Sequence, residues 1–313
     1  MKLGYFLSSE EYTPAQLVEQ ARLAQDAGFE GLWISDHYHP WNDEQGQSPL
    51  VWSMIGALSQ MVHIPVTTAV TCPIMRIHPA VIAQAAATSA VLLDGRFVLG
   101  VGTGEALNEH IYGDAWPGAG ERLGMLEEAV HVMRELWEGG VVSHRGKHFT
   151  VEQARVYTRP ETPPKVYMSA FGPKAIGLAG DIADGFISVV PNAEHVEQFR
   201  KAGGAGKPVQ GGFKGCWAPS ADEAVQIAHR LWPNAGLPGE LSQVLPSPRH
   251  FEQASQLVTP SMVRDAIACG PDPDRHASML RTYEEAGFDE VYVAPVGPHY
   301  RELIDLYRKS FLP

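Results

Sequence analysis

Four side chains that could do chemistry stand close together early in the chain, in the sequence SDHYHPW. Asp36, His37, His39 and Trp41 follow a short apolar run that predicts a buried strand. A histidine can move a proton near neutral pH, and an indole face can stabilise positive charge or a flat ring. Each also has a plainer interpretation, a histidine satisfied by its neighbours at a strand end and a tryptophan that acts as a lid.

The same cluster raises the possibility of a metal site, because histidine and carboxylate side chains are good metal ligands. Successive residues of a strand point to opposite faces, so Asp36 and His37 cannot both face one ion on a regular backbone. The sequence therefore disfavours a metal.

Two glycine-containing stretches are the next candidates. The sequence GVGTGEALNE (100–109) could bring backbone amides close to a ligand, but it lacks the lysine of a P-loop and has an incomplete GxGxxG pattern. Its Glu105 is suited to give or take a proton, and equally to be an acid in the first turn of a helix. The pair Gly172-Pro173 before a helix predicts an anion site for a phosphate-bearing cofactor, or a plain turn.

The elements that must position these residues are apolar runs that alternate with helical patterns. The predicted strands cover residues 2–7, 31–36, 65–70, 97–102, 165–170, 185–190, 209–218 and 290–295. The predicted helices cover 14–27, 50–60, 79–92, 119–140, 172–183, 222–231, 274–286 and 299–311. Eight strands alternating with helices favour an α/β fold, a (β/α)8 TIM barrel, over an open doubly wound sheet. Barrel chemistry occurs at the carboxyl ends of the strands, where all the candidates lie.

We expect one domain over residues 1–313, with a hairpin insertion at 141–158 and a proline-rich insertion at 232–262. The formal net charge of -12 disfavours binding to nucleic acid or to an anionic membrane. Three widely spaced cysteines indicate neither a disulfide framework nor a zinc site, and a reducing cytoplasm is the natural setting. The first residues do not read as a signal peptide, and no apolar run is long enough to span a membrane.

Five ordered blocks carry a resemblance to a known family. They are SDHYHPW (35–41), HPAVIAQAAAT (78–88), GVGTGEALNE (100–109), DAWP (114–117) and GDIADGF (180–186). Together they resemble the bacterial luciferase-like superfamily, and within it the oxidoreductases that depend on coenzyme F420. The resemblance implies a barrel that binds a deazaflavin and passes a hydride between it and a substrate carbon.

The resemblance also implies roles for individual residues. His37 would be a base or charge stabiliser beside the reacting carbon, Trp41 would stabilise the transition state, and Glu105 would exchange a proton with ring N1. Asp36 would contact the ring, and Ala69 and Val70 would form a non-prolyl cis peptide behind it. The remaining cofactor wall would comprise Cys72, Thr103, Gly104, Asn108, Ser169, Ala170, Phe171 and Gly172. His39 is expected to be structural or a supporting partner.

The sequence departs from the sugar-phosphate enzymes of this group where basic residues would clamp a phosphate. Asn192 and Ser242 stand near two of those positions, and Asp265, with Arg264 beside it, stands near the third. Without such contacts a phosphate dianion would lose most of its specific affinity. The expected function is F420-dependent hydride transfer to or from an alcohol, a sugar or a related substrate other than glucose 6-phosphate.

Two alternatives remain at this level, an FMN-dependent monooxygenase of the same superfamily and a non-catalytic flavin-binding relative. The presence of His37, Trp41 and Glu105 together speaks against the second. The resemblance further implies a homodimer, with a small molecule as substrate.

Overall fold

Eleven β-strands are present in the computed structural model, which describes residues 1–313. They are Lys2–Leu7 (β1), Leu32–Ile34 (β2), Val66–Thr68 (β3), Phe97–Val101 (β4), Val142–Arg145 (β5), Thr150–Ala154 (β6), Lys165–Ser169 (β7), Gly185–Ser188 (β8), Val209–Cys216 (β9), Ala268–Cys269 (β10) and Glu290–Pro295 (β11). Eight of them, all except β5, β6 and β10, pair in parallel and close on themselves. Because β11 pairs with β1 and also with β9, the sheet is a closed barrel, and the open-sheet alternative was wrong.

Thirteen α-helices accompany the strands. They are Pro14–Ala27 (α1), Val51–Leu58 (α2), Pro79–Leu92 (α3), Ala106–Glu109 (α4), Ala119–Glu138 (α5), Pro173–Ile182 (α6), Ala193–Phe199 (α7), Ala221–Leu231 (α8), Leu241–Val244 (α9), Pro248–Ser255 (α10), Pro260–Ala266 (α11), Pro273–Glu285 (α12) and Tyr300–Ser310 (α13). Every helix predicted from the sequence is present, with ends that differ by at most two residues. None of the helices is long and apolar enough to cross a membrane.

Local signals explain why the element ends were readable. Helix α1 begins at Thr13 with a capping box, in which the Thr13 hydroxyl accepts from the Gln16 amide and the Gln16 side chain accepts in return. Pro14 occupies the first helical position, and Gly28 ends the helix with a φ of 102°.

The secondary structure of the two insertions was predicted to different extents from the sequence. In the segment 141–158, β5 and β6 pair antiparallel as a hairpin. The proline-rich segment at 232–262 was not predicted to be helical, yet it holds α9, α10 and the start of α11. Helix α7 was also missed, because only Val196 and Phe199 of it are buried and its apolar signal is short.

The barrel interior is filled by large rings set against glycines. Trp33 and Tyr292 stack with ring centroids 4.6 Å apart. A Cβ built on Gly212 would lie 2.5 Å from the Trp33 ring, and one on Gly4 would lie 2.2 Å from the Tyr292 ring. Only glycine leaves room for these rings, so the interior is a packed core and not a channel. Ala69 and neighbouring residues lie above this layer.

Candidate active site

His37 lies just after β2 and is held through both ring nitrogens. Its Nε2 is 3.3 Å from Oε1 of Glu10, in a pair that is 9% and 4% exposed. Its Nδ1 is 3.1 Å from the carbonyl oxygen of His39 and 3.1 Å from Nδ2 of Asn108. A protonated Nδ1 donates to the carbonyl, and an unprotonated Nδ1 accepts from the amide. His37 therefore has a partner for Nδ1 in either protonation state.

Asn108 joins His37 to Glu105. Its Oδ1 accepts from the backbone amides of Tyr38 and His39 at 2.9 and 3.1 Å, which fixes the side-chain amide in one orientation. Its Nδ2 then faces Nδ1 of His37 and donates to Oε2 of Glu105 at 3.2 Å. The sequence had placed Asn108 on the cofactor wall, whereas the structure shows it buried between the two proposed proton-transfer residues.

Trp41 covers His37 and is itself held by the second insertion. The two rings have centroids 5.0 Å apart, and Trp41 makes an edge contact at 5.0 Å with Phe251 of α10. Phe251 is almost fully buried. The insertion therefore fixes the position of Trp41.

His39 supports this loop, as expected. Its Nδ1 is 2.9 Å from the carbonyl oxygen of Leu107, and its ring stacks on His110 with centroids 6.0 Å apart. Nothing groups His39 with Asp36 or His37 as ligands for one ion, since the three side chains have different partners.

The Asp36 carboxylate points away from His37 into a buried ion network. Its Oδ1 accepts from Nη2 of Arg76 at 2.7 Å, and its Oδ2 accepts from the Thr71 hydroxyl at 2.8 Å. The guanidinium of Arg76 also reaches Glu109, whose pKa is raised to about 7, mainly by burial. Because the Asp36 side chain is fully buried, a contact with a cofactor would have to come from its main chain.

The floor of the site is made by the ends of β3, β4 and β7. The peptide bond Ala69–Val70 is cis, as the resemblance implied. A Cβ on Gly102 would lie 2.8 Å from Cγ2 of Val70 and 3.8 Å from Cβ of Ser169. The missing side chain keeps this surface flat, as a planar ring requires.

The other proposed wall residues lie around this floor. Cys72 is buried next to Gly104, where an added Cβ would meet its Sγ at 2.5 Å, and burial raises the pKa of the Cys72 thiol well above its usual value. Thr103 is half-buried and Ala170 is buried. Phe171 exposes 42% of its surface at the end of β7.

Gly172 is the N-cap of α6 and has open space beside it, since an added Cβ would meet nothing within 4 Å. No side chain caps this helix. Its first amides are therefore free to donate to an anion, and the helix dipole favours negative charge there.

The positions where related enzymes would clamp a phosphate have other partners here. Asn192 caps α7 through its Oδ1, which accepts from the amides of Glu194 and His195. Arg264 pairs with Asp222 at 2.9 Å, and the Asp265 side chain beside it is exposed. Ser242 lies in the short helix α9. None of the four makes a cation cluster facing His37.

Sequence reasoning missed three residues that shape the site. Glu10 lies in the loop that follows β1, so an acid near the carboxyl end of a barrel strand was the available signal. Arg76 had a weaker signal, a single cation within an apolar segment. Phe251 had none, because its partner Trp41 is distant in sequence.

A cavity of about 290 Å³ opens at the opposite end of the barrel. It is lined by residues at the amino ends of the strands, among them Lys2, Glu30, Lys165 and Glu290. This end serves stability in barrel enzymes. We therefore place the chemistry at the other end, around His37.

Comparisons with known proteins identify the family to which the chain belongs. The family model described as luciferase-like monooxygenase matches residues 1–290. An F420-dependent glucose-6-phosphate dehydrogenase of Nakamurella multipartita is 34% identical over 328 residues, covering 100% of this chain and 96% of that protein. The Kribbella flavida protein of the same description is 33% identical over 326 residues, with 100% and 98% covered.

Solved structures give the same picture. A structure described as an F420-dependent secondary alcohol dehydrogenase in complex with an F420-acetone adduct superposes with a TM-score of 0.92 at 31% identity, covering 99% of this chain and 98% of the other. The F420-dependent tetrahydromethanopterin reductase of Methanopyrus kandleri has a TM-score of 0.79 at 21% identity, covering 99% of this chain and 97% of the other, and shares the fold.

Proposed function

We propose that this chain, which belongs to the luciferase-like monooxygenase family, transfers a hydride between coenzyme F420 and an alcohol, a sugar or a related substrate. It is an F420-dependent oxidoreductase, as its relatives over the full length of the chain are. The observation that carries the proposal is the meeting of the His37–Glu10 pair, Trp41 and Glu105 beside a flat, glycine-lined floor.

The residues present fit a phosphate-bearing planar cofactor. The floor between Val70 and Ser169 carries no side chain at Gly102, and the N-terminus of α6 at Gly172 has unused amides beside open space. The resemblance assigns the ring to the first region, and the second could hold a phosphate. When bound there, the deazaflavin would supply the group that accepts or gives the hydride.

His37 and Glu10 can manage the proton of the substrate hydroxyl. With Nδ1 of His37 donating to the His39 carbonyl, the Glu10 carboxylate lies 3.3 Å from Nε2 and would accept from a proton placed on that nitrogen. A proton taken from the hydroxyl by Nε2 would create an imidazolium stabilised by the Glu10 carboxylate. The indole of Trp41 packs against the same ring and shields it from water.

Glu105 is placed to exchange the second proton. Its Oε2 accepts from Asn108 Nδ2, which also approaches His37, so the two proton-transfer groups are held at a fixed separation by one amide. Glu105 is half-buried, which leaves it accessible to a ligand on the floor.

The substrate is proposed to lack a phosphate group. At the positions of the expected clamp, Asn192 serves as a helix cap and Arg264 is paired with Asp222 on the surface. A dianion would therefore find no group of free cations there. We further propose a homodimer, which light scattering of the purified protein would test.

The first experiment measures fluorescence quenching of purified protein with F420 and with FMN, followed by a screen of alcohols and sugars for F420 reduction. We expect preferential binding of F420 and reduction by an unphosphorylated substrate. Preference for FMN with oxygen consumption would instead support the monooxygenase alternative. Efficient F420 reduction by glucose 6-phosphate at low concentration would refute the substrate proposal.

The second experiment tests His37 by comparing the wild type with H37A. We expect turnover to fall by about 10²- to 10⁴-fold, the range for loss of a general base, with F420 affinity retained. H131A is the matched control, because His131 lies on the exposed face of α5. Full turnover by H37A would remove the proposed role.

A further inference from the structure

Lys214 is a single lysine on the inner face of strand β9. Gln210 and Gly212 of the same strand face the barrel interior, where Gln210 accepts from Trp33 Nε1 at 2.9 Å and Gly212 lies against the Trp33 ring. Because side chains of a strand alternate, Lys214 points the same way, one layer nearer to the carboxyl end. Lys214 therefore lies at the same end of the barrel as His37, the carboxyl end of the strands.

The ammonium of Lys214 contacts an aromatic face. Its Nζ lies 4.2 Å from the ring centroid of Trp232, whose Nε1 donates to Oε2 of Glu11 at 2.6 Å. Trp41 packs against the same apolar cluster that contains Trp232. Lys214 thus contacts the same apolar cluster against which Trp41, the residue that covers His37, is packed.

The nearby carboxylates are committed to other groups. Both oxygens of Glu11 accept N–H donors, one from Trp232 and one from the Gly297 amide at 2.6 Å. Glu10 accepts from the Ser35 hydroxyl at 2.8 Å and approaches His37. Neither acid forms an ion pair with Lys214, although both influence its charge.

Burial lowers the pKa of Lys214, and the charges of Glu10 and Glu11 oppose that effect. The three N–H donors of the ammonium have no acceptor in the protein. A ligand oxygen above the barrel could accept from them in place of water.

We propose that Lys214 recognises the substrate by donating a hydrogen bond to a second, uncharged oxygen beside the reacting carbinol. This inference deepens the proposed function and rests on it. Glu10 pairs with His37 at 3.3 Å, and both His37 and Lys214 lie at the carboxyl end of the barrel. A substrate that contacts both residues would carry two oxygens, as in a diol, a polyol or an unphosphorylated sugar.

The charge around Lys214 argues against an anionic substrate group. The charge of Glu10 acts on the ammonium, and it would repel a carboxylate or phosphate placed beside it. A hydroxyl or carbonyl oxygen accepts from the ammonium without that repulsion.

The test compares cyclohexanol with cis-cyclohexane-1,2-diol on the wild type, K214M, K214R and K165M. Lys165 is the matched control, because it is an exposed lysine at the opposite end of the barrel. One measurement is kcat/KM for F420 reduction with each alcohol. A second is binding of each alcohol by saturation-transfer NMR, which needs no turnover, and F420 affinity and Tm verify that each variant is folded.

We expect K214M to lower kcat/KM and affinity for the diol by about ten-fold or more beyond its effect on cyclohexanol, as loss of a hydrogen bond from a charged donor implies. K214R should recover part of the preference, and K165M should match the wild type. Equal losses for both alcohols, or a wild type without a preference for the diol, would overturn the inference while leaving the proposed function intact. Diol binding that depends on Lys214 without any F420 reduction would support the recognition by Lys214 and refute hydride transfer from this class of alcohol.

Discussion

Removal of the Arg76 side chain is the sharpest test of how the site is held together. Arg76 is 5% exposed, donates to Asp36 at 2.7 Å and reaches Glu109 at 3.5 Å, and these two acids are 0% and 1% exposed. The substitution R76M keeps much of the apolar stem but removes the only cation in the network. Two buried carboxyl groups then have to be protonated or remain unpaired.

The expected cost follows from that burial. Breaking a buried ion pair by removing one partner costs about 3–5 kcal/mol, because the remaining charge is uncompensated. We expect this loss in the free energy of unfolding at about pH 8. At about pH 5, below the raised pKa of Glu109, we expect a smaller loss, about 1–3 kcal/mol.

The pH dependence has a definite sign. Burial already raises the pKa of Glu109 to about 7, and removal of Arg76 would raise it further. A carboxyl group whose folded-state pKa is raised contributes stability that is present at low pH and lost as the pH rises through that pKa. The variant should therefore lose more stability than the wild type between about pH 5 and about pH 8.

Urea denaturation of the wild type and the variant at the two pH values measures this difference. The control is R145M, which breaks an ion pair with Glu152 at 2.6 Å that is 75% and 57% exposed, and which should cost less than about 1 kcal/mol. A loss below about 1 kcal/mol for R76M at about pH 8, or an equal loss at both pH values, would refute the reasoning.

Three further substitutions test other parts of the structure. E109Q keeps the acceptor for the Arg76 amide but removes the titrating carboxyl group. The stability of the wild type relative to this variant, measured by urea denaturation, should therefore fall by about 3 kcal/mol as the pH rises from about 4.5 through about 7. A difference that does not change with pH would contradict the raised pKa of Glu109. F251A should lower the free energy of unfolding by about 3–5 kcal/mol and should also lower kcat, because Trp41 loses its support over the site. An unchanged kcat in folded protein would show that the insertion does not contribute to catalysis. G212A should cost about 1–3 kcal/mol in thermal unfolding, because its Cβ would lie 2.5 Å from the Trp33 ring, and an unchanged Tm would show that the ring can move.

The order of strands and helices was readable because its signals are local. A run of apolar residues predicts a buried strand, and Thr13-Pro14 and Gly28 mark the ends of α1 by their own chemistry. The eight barrel strands were all identified, though β2 and β3 are three residues shorter than predicted. The residues that were predicted to extend these strands at their carboxyl ends belong instead to the loops that carry His37 and the Ala69–Val70 peptide.

Contacts between distant segments were not readable in the same way. Helix α10 was hidden in a proline-rich segment, and its role depends on Phe251 meeting Trp41. Asp36 and His37 illustrate the same limit. Their types were evident, but only the fold directs one side chain to Arg76 and the other to Glu10.

The sequence by itself determined the barrel, the family resemblance and the position of His37, Trp41 and Glu105 at strand ends, because local periodicity and short motifs suffice for each. Only the tertiary structure decided the partners of these residues: Glu10 for His37, Asn108 between His37 and Glu105, and Trp232 beneath Lys214. Except for the contact of Asn108 with Glu105, which is local, each of those contacts joins separate elements of the chain. Closure of the sheet brings the strand ends within hydrogen-bond distance, and no local pattern encodes which ends will meet.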